Sequence, residues 1–200
     1  MELDMIVALA ISVGSLVAYY STTEPREFLQ TRKVSGKKCK LLYKVFSELL
    51  SVMPGKKHYK IKLKIKSVIS WKAYVSYDNQ KNYYTIYITV GILRTCSISQ
   101  IVCIIAHELG HVFYGDCLKP NPGPLFIQKS VQRFKELRAD SFGVYLIKRY
   151  NRRFKKNMRI DNPFGNASNG WRHFTSNHPD ANIRRIVVMA SRLYYSIVGV

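Results

Sequence analysis

The chain has 200 residues, 47% of them hydrophobic, which is enough for one domain with a real core and an appended terminal segment. Lysine and arginine number 32 against 12 acidic residues, so the net charge is +20. The basic residues are spread along the whole chain without a nucleic-acid-binding motif, which favours attraction to anionic lipid or plain solubility over nucleic-acid binding.

The first predicted element is an uncharged apolar run of sixteen residues, from Met5 to Tyr20. This run is slightly short for a membrane span, but flanking residues can extend it, and we predict a membrane anchor helix over residues 1–24. A cleaved signal peptide and a helix buried in the core are the alternatives. Basic residues follow the run and none precedes it, so the positive-inside tendency places the predicted domain of residues 25–200 in the cytoplasm. Four cysteines without CxxC spacing agree with a reducing compartment.

Three strand-like segments come next. In residues 60–66, lysines alternate with aliphatic residues, a period of two with one apolar face. The second segment covers residues 73–77 and the third covers residues 83–90, and turn-forming residues 78–82 separate them. The sequence therefore predicts a small antiparallel sheet that packs on the helix that follows.

That helix carries the pattern HExxH at residues 107–111. Positions i and i+4 lie on one face of a helix, so His107 and His111 can direct their imidazole nitrogens at one ion. Zinc takes about four nitrogen, sulfur or carboxylate ligands and leaves one position open in catalytic sites. Glu108, beside that face, is then placed to take a proton from water that the metal activates.

The surroundings of the motif favour a metal site over a solvated surface helix. Residues 99–106 are almost all apolar, which indicates a buried helix. Ser97 followed by Gln100 is typical of a capping box, and Gly115 offers a C-terminal stop. Two histidines and a glutamate in a buried helix are costly unless they are paired or bind a metal.

A second helix is predicted after the break at Pro122-Gly123-Pro124, with Pro124 as its first residue. Glu136, Asp140 and Gly143 share one stripe of this helix. Glu136 is the candidate third metal ligand, and Asp140 is placed to accept a ring N–H from a ligand histidine. Gly143 would allow the two helices to approach closely. The alternative is an exposed acidic face paired with nearby arginines.

The chain resembles the HtpX-type and CAAX-prenyl-protease-type zinc peptidases over roughly residues 70–190. The resemblance rests on four segments in the same order as in that family: residues 86–93 as the strand and turn before the zinc helix, residues 106–112 as the core motif, residues 136–143 as an ExxADxxG signature, and Ser176-Asn177-His178-Pro179 followed by Arg184.

This resemblance implies a mainly helical, zincin-like α+β domain with one Zn²⁺ per chain, which hydrolyses peptide bonds in a protein or peptide substrate. It implies that His107, His111 and Glu136 bind the metal and that Glu108 is the general base. In such peptidases an edge strand beside the zinc helix binds extended substrate. We expect the third strand-like segment or its neighbour to do so here.

The resemblance also implies that His178 and Arg184 line the cleft, where they stabilise the oxyanion or close over the metal. His173 competes with His178 for this role, and Arg185 competes with Arg184. Asn177 stands where the family has threonine, so the local geometry departs from the family pattern.

Two other functions remain open at this stage. One is a cytosolic regulatory peptidase of the ImmA/IrrE type, which also pairs HELGH with a nearby glutamate. The other is a basic binding protein in which zinc is only structural. The sequence contains no indication of the oligomeric state or of the natural substrate.

Overall fold

The computed structural model describes residues 34–55, 59–118, 124–158 and 181–199. The elements in chain order are α1 (Gly36–Val52), β1 (Ile61–Lys66), β2 (Ala73–Asp78), β3 (Tyr83–Thr89), α2 (Val90–Thr95), α3 (Ile98–Phe113), α4 (Leu125–Phe154) and α5 (Ala181–Ile197). The described fold is mixed α+β and mainly helical, in agreement with the predicted class. The predicted anchor over residues 1–24 lies outside the described residues. Among the helices that are described, none is long and apolar enough to cross a membrane.

The three strands lie where the sequence predicts them, but the prediction of a purely antiparallel sheet is wrong. The strand order is β1-β3-β2, in which β3 pairs parallel with β1 and antiparallel with β2. β3 is therefore the central strand, and its inward side chains Ile86 and Ile88 are fully buried. The edges of the sheet are formed by β1 and β2.

The connection between β1 and β2 accounts for the parallel pairing. Residues 67–72 cross over the end of β3 instead of forming a hairpin, which brings β2 to the far edge. Thr89 holds this crossing. Its N–H donates to the Lys72 carbonyl at 3.1 Å, and its hydroxyl accepts the Lys72 N–H at 3.1 Å and donates to the Ser70 carbonyl. The connection also packs so closely on residue 91 that only glycine fits there, because a Cβ would collide with carbonyl oxygens of the connection.

Helix α1 was not predicted, although its pattern is that of an amphipathic helix. Its apolar residues recur at i, i+3, i+4 and i+7 and are buried: Leu42, Val45, Phe46 and Leu49. The helix packs against α3 and α4. At the α4 contact, the Tyr150 hydroxyl donates to Glu48 Oε2 at 2.9 Å.

Helix α3 is the buried centre of the fold, with eleven of its sixteen residues buried. The predicted capping box is confirmed. The Ser97 N–H donates to Gln100 Oε1 at 2.8 Å, and the Gln100 N–H donates to Ser97 Oγ at 3.2 Å. The helix ends at Phe113, and Gly115 follows in a left-handed conformation with φ of +64°, which makes it the C-terminal stop.

Helices α3 and α4 cross at two glycines. A Cβ on Gly110 would lie 2.9 Å from the Cα of Ala139, and a Cβ on Gly143 would lie 3.3 Å from the backbone nitrogen of His107. The close approach predicted at Gly143 is confirmed, and Gly110 of the HExxH motif supplies a second, tighter one. Pro124, predicted as the first residue of α4, is its N-cap instead.

Candidate metal centre

Three side chains from the two crossing helices converge. His107 and His111 come from α3, and Glu136 comes from α4. His107 Nε2 lies 3.1 Å from His111 Nε2 and 3.3 Å from Glu136 Oε2. His111 Nε2 lies 3.6 Å from Glu136 Oε1. The close crossing at Gly110 brings the carboxylate within reach of both rings.

These distances fit a tetrahedral zinc ion. With zinc–ligand bonds of about 2.0–2.1 Å, tetrahedral donors stand about 3.3–3.4 Å apart. The two Nε2 atoms lie 3.1 Å apart, and their distances to the nearer carboxylate oxygen, 3.3 Å to Oε2 and 3.6 Å to Oε1, are close to this value. Two nitrogens and one carboxylate are also the donor types that zinc accepts in catalytic sites.

The tautomers of the two histidines point to the same conclusion. Nδ1 of His107 lies 2.8 Å from Asp140 Oδ1, and Nδ1 of His111 lies 2.8 Å from Asp116 Oδ2. An ionised carboxylate only accepts hydrogen bonds, so each Nδ1 carries a proton. When a metal displaces the proton from Nε2, both Nε2 atoms direct lone pairs into one small space beside a carboxylate. A cation is the natural partner for three such donors.

Each of the two candidate ligand histidines is hydrogen-bonded to a carboxylate, which is in turn hydrogen-bonded to an arginine. Behind His107, Asp140 accepts the Arg184 Nε–H at Oδ2 over 2.7 Å and the Nη2–H at Oδ1 over 2.6 Å. Burial alone would raise the pKa of Asp140, but the hydrogen bonds of Arg184 and the charge of His107 hold it below its usual value. Burial likewise lowers the pKa of His107, and the charge and hydrogen bond of Asp140 outweigh burial and raise it to about 9.

A second carboxylate–arginine pair lies behind His111, and the sequence analysis did not predict it. Asp116 lies in the turn after α3 and accepts a hydrogen bond from Arg138 of α4. The Arg138 guanidinium also lies over the rings of Tyr114 and Phe134, at 4.6 and 5.5 Å from their centroids. Burial raises the pKa of Asp116, but its hydrogen bonds to His111 and Arg138 produce a net lowering. The available signal was an aspartate directly after the helix-stop glycine, five residues beyond His111.

Glu136 is also oriented by a neighbour that the sequence reasoning did not identify. Gln132, one turn earlier on α4, donates from Nε2 to Glu136 Oε1 at 2.8 Å. Glu136 itself is 2% exposed. The hydrogen bond from Gln132 therefore helps to orient the buried carboxylate.

A pocket of about 280 Å³ opens onto the three donors. Glu108 lines it beside the two histidines and is 7% exposed. The opposite wall comes from β2, through Ala73, Tyr74 and Val75, and the rest of the lining is Ile104, Asp116, Cys117, Gln132, Lys135 and Arg184. The predicted general base is thus in the same cavity as the candidate metal ligands.

The wall formed by β2 is a sheet edge with backbone groups turned toward the pocket. Lys72 and Thr89 form a hydrogen-bonded pair at the start of the β2–β3 ladder. Bonded pairs alternate with non-bonded pairs in antiparallel ladders, so Ala73 and Val75 direct their N–H and C=O groups away from β3. The Cys117 thiol, which lies 3.7 Å from the Val75 carbonyl oxygen, approaches from that free side. Since β3 is central and β2 is the edge strand that lines the pocket, β2 is the strand available to a substrate.

The predicted cleft also includes one histidine and one arginine from the C-terminal part of the chain. His178, like His173, lies outside the described residues. Arg184 is 2% exposed and lines the pocket, whereas Arg185, the alternative in the sequence, is exposed. Of the two arginines, Arg184 is therefore the one beside the candidate metal centre.

Comparison with known families agrees with this geometry. The model of Peptidase family M48 matches residues 46–120. This part of the chain belongs to peptidase family M48. The M48 segment contains the sheet, the HExxH helix and Asp116, while the third donor, Glu136, lies beyond it and is supplied by α4. The predicted class of enzyme, a zinc metallopeptidase of the HtpX type, is confirmed. No curated protein and no solved structure matches the chain significantly.

Proposed function

We propose that this M48 protein is a zinc endopeptidase with one Zn²⁺ per chain, bound by His107, His111 and Glu136. The observation that carries the proposal is the convergence of these three donors at separations of 3.1–3.6 Å in a pocket that also contains Glu108. Zinc at such a site acts as a Lewis acid that polarises a peptide carbonyl and makes water nucleophilic at neutral pH.

Glu108 acts as the general base in this proposal. It follows His107 directly on α3, so its carboxylate reaches the pocket without occupying the face from which the histidines project. It accepts a proton from the attacking water and passes it to the departing amine, which leaves the carboxylate unchanged after one cycle. Its low exposure strengthens its interaction with charge that develops nearby.

The substrate binds in extended form along β2. The outward N–H and C=O groups of Ala73 and Val75 supply main-chain hydrogen bonds, as in other cases of strand addition. The Cys117 thiol is a weak donor to Val75, so a peptide N–H can replace it. Recognition through the backbone at this edge is compatible with many side-chain sequences.

Arg184 is proposed to act at the pocket wall, where its guanidinium steadies the charge of Asp140 and, through it, the orientation of His107. The resemblance assigns His178 to the same cleft, where it would stabilise the oxyanion. A role in which zinc is only a structural brace would call for a fourth protein ligand. In the described part of the chain the donor group has three members, which favours a catalytic site.

The proposal includes a membrane anchor at residues 1–24 and a catalytic domain that faces the cytoplasm. Its support is the uncharged run followed by basic residues. A reporter fused after Val200 and tested on each side of the membrane would decide the orientation. A reporter that is active only outside would reverse it.

The decisive experiment is the Glu108→Gln variant. It is expected to retain zinc at one equivalent per chain and to lose at least a hundredfold in peptide cleavage, the usual size of a general-base contribution. Glu48→Gln makes the same chemical change on α1, where Glu48 accepts from Tyr150 about 21 Å along α4 from Glu136. This control should cleave normally. Full activity of Glu108→Gln would refute the mechanism, and absence of zinc from the unmodified protein would refute the metal site.

A further inference from the structure

The outer face of the sheet carries a pattern that the metal centre does not use. On β1, Lys62, Lys64 and Lys66 point away from the core and are exposed. Their spacing is about 6.6 Å from one to the next, since alternate strand residues share a face. We call this set of three the lysine row.

Tyrosines of β2 and β3 contact two members of the lysine row. The Lys62 ammonium lies 4.5 Å from the centre of the Tyr83 ring. The Lys66 ammonium lies 4.5 Å from the centre of the Tyr87 ring and donates a hydrogen bond to the Tyr74 hydroxyl, and the two tyrosines stack on each other. These contacts order the side chains of Lys62 and Lys66 and leave their charges at the surface.

Almost no acidic residue offsets the positive charge of this face. Between residues 49 and 107 the sequence contains a single carboxylate, that of Asp78. Asp78 lies at the far end of β2, where it accepts the backbone N–H groups of Gln80 and Lys81 at 3.0 and 3.1 Å. The end of the sheet near Lys66 therefore presents basic groups without a nearby acid on the described strands.

At that end, the connection over β3 exposes aliphatic side chains. Val68 is 49% exposed and Ile69 is 39% exposed. Their backbone is held firmly, because the Gly91 N–H donates to the Val68 carbonyl at 3.4 Å and Thr89 binds the following residues. Lys66 and Lys72 flank the pair in the sequence and are both exposed.

We propose that the lysine row and the Val68-Ile69 tip together form a docking surface for an anionic lipid bilayer. The lysines match the negative charge of the headgroups, and the two aliphatic side chains enter the boundary between headgroups and acyl chains. A nucleic acid would use the same charge, but it has no apolar layer to receive Val68 and Ile69. Tyr87 is also covered on its two faces, by Tyr74 and by Lys66, and is not available to stack on a base. The lipid surface is therefore the occupant that both parts of the site favour.

The test is binding of the full chain to vesicles of phosphatidylcholine with and without phosphatidylserine, measured by co-sedimentation. All variants retain residues 1–33, which could bind both kinds of vesicle through hydrophobic contacts alone. The quantity compared is therefore the ratio of the affinity for vesicles with phosphatidylserine to the affinity for vesicles without it, which hydrophobic contacts do not change. One basic residue near an anionic surface contributes about fivefold, so three contribute about a hundredfold. The triple variant K62E/K64E/K66E reverses these charges and is expected to lose at least about a hundredfold of the preference for phosphatidylserine, and high salt should remove the same preference in the unmodified protein.

The matched control is K37E/K40E/K44E, which changes the net charge equally on exposed positions of α1 and should retain the preference. A second variant, V68S/I69S, keeps every charge and should weaken binding to phosphatidylserine vesicles severalfold, which gives a result even if the triple variant folds poorly. Equal losses in K62E/K64E/K66E and the control would overturn the proposal, as would unchanged binding of V68S/I69S. A loss of binding to a single-stranded oligonucleotide with unchanged vesicle binding would assign the lysine row to nucleic acid instead.

Discussion

The Gly110→Ala substitution tests how the metal centre depends on helix packing. The added Cβ would lie 2.9 Å from the Cα of Ala139 and 3.2 Å from its Cβ. Carbon atoms in contact are ordinarily about 3.5–4.0 Å apart, so α4 must move away by about 0.5–1 Å. The neighbour is backbone, which cannot rotate out of the way.

That displacement lengthens the contacts on which the metal depends. The separations from His107 Nε2 and His111 Nε2 to the Glu136 carboxylate, 3.3 and 3.6 Å, both span the α3–α4 interface. They would increase to roughly 4 Å, beyond the edge of about 3.3–3.4 Å that tetrahedral zinc requires. We expect zinc affinity to fall at least tenfold.

The effect on stability should be smaller than the effect on metal binding. Alanine in place of glycine within a helix gains about 1 kcal/mol, while overpacking a close interface costs about 1–3 kcal/mol. The metal-free variant should therefore lose between about 0 and 2 kcal/mol in its free energy of unfolding. A zinc-indicator competition and urea denaturation in chelator would measure the two quantities separately.

Gly36→Ala is the control, because a Cβ at that position meets nothing within 4 Å. It should leave zinc affinity unchanged. If Gly110→Ala bound zinc as tightly as the unmodified protein and unfolded at the same urea concentration, the argument that this glycine sets the distance between the donors would be refuted.

Three further predictions follow from the described contacts. Asp116→Asn should weaken zinc binding by about 10–100-fold, because the amide no longer selects one tautomer of His111, and the same competition assay would show it. In chelator, the raised pKa of His107 should contribute stability that is fully present below pH 6.5 and is lost as the pH rises through about 9. The urea concentration at the midpoint of unfolding should therefore be lower above pH 9 than below pH 6.5, and equal midpoints would contradict this prediction. Gly91→Ala should lower the free energy of unfolding by about 1–3 kcal/mol, since the connection at Ile69 must shift, and an unchanged melting temperature would argue against that crossing.

The sequence predicted local elements better than their arrangement. Alternation of lysine and aliphatic residues identified β1, and a capping box identified the start of α3, because both depend on neighbours within a few positions. The parallel pairing of β1 with β3 depends on the path of residues 67–72 and on contacts at Thr89. The alternation of polar and apolar residues carries no information about either of these. The expectation of an antiparallel sheet failed for this reason.

For the metal centre, the sequence by itself determined the donor types and the spacing of His107 and His111, since a helix places i and i+4 on one face whatever surrounds it. Only the tertiary structure decided the distance from these rings to Glu136, because that distance depends on how closely α3 and α4 pack at Gly110. Folding also brought Asp116 and Arg138 together across twenty-two residues to hold His111, a contact that no local pattern encodes.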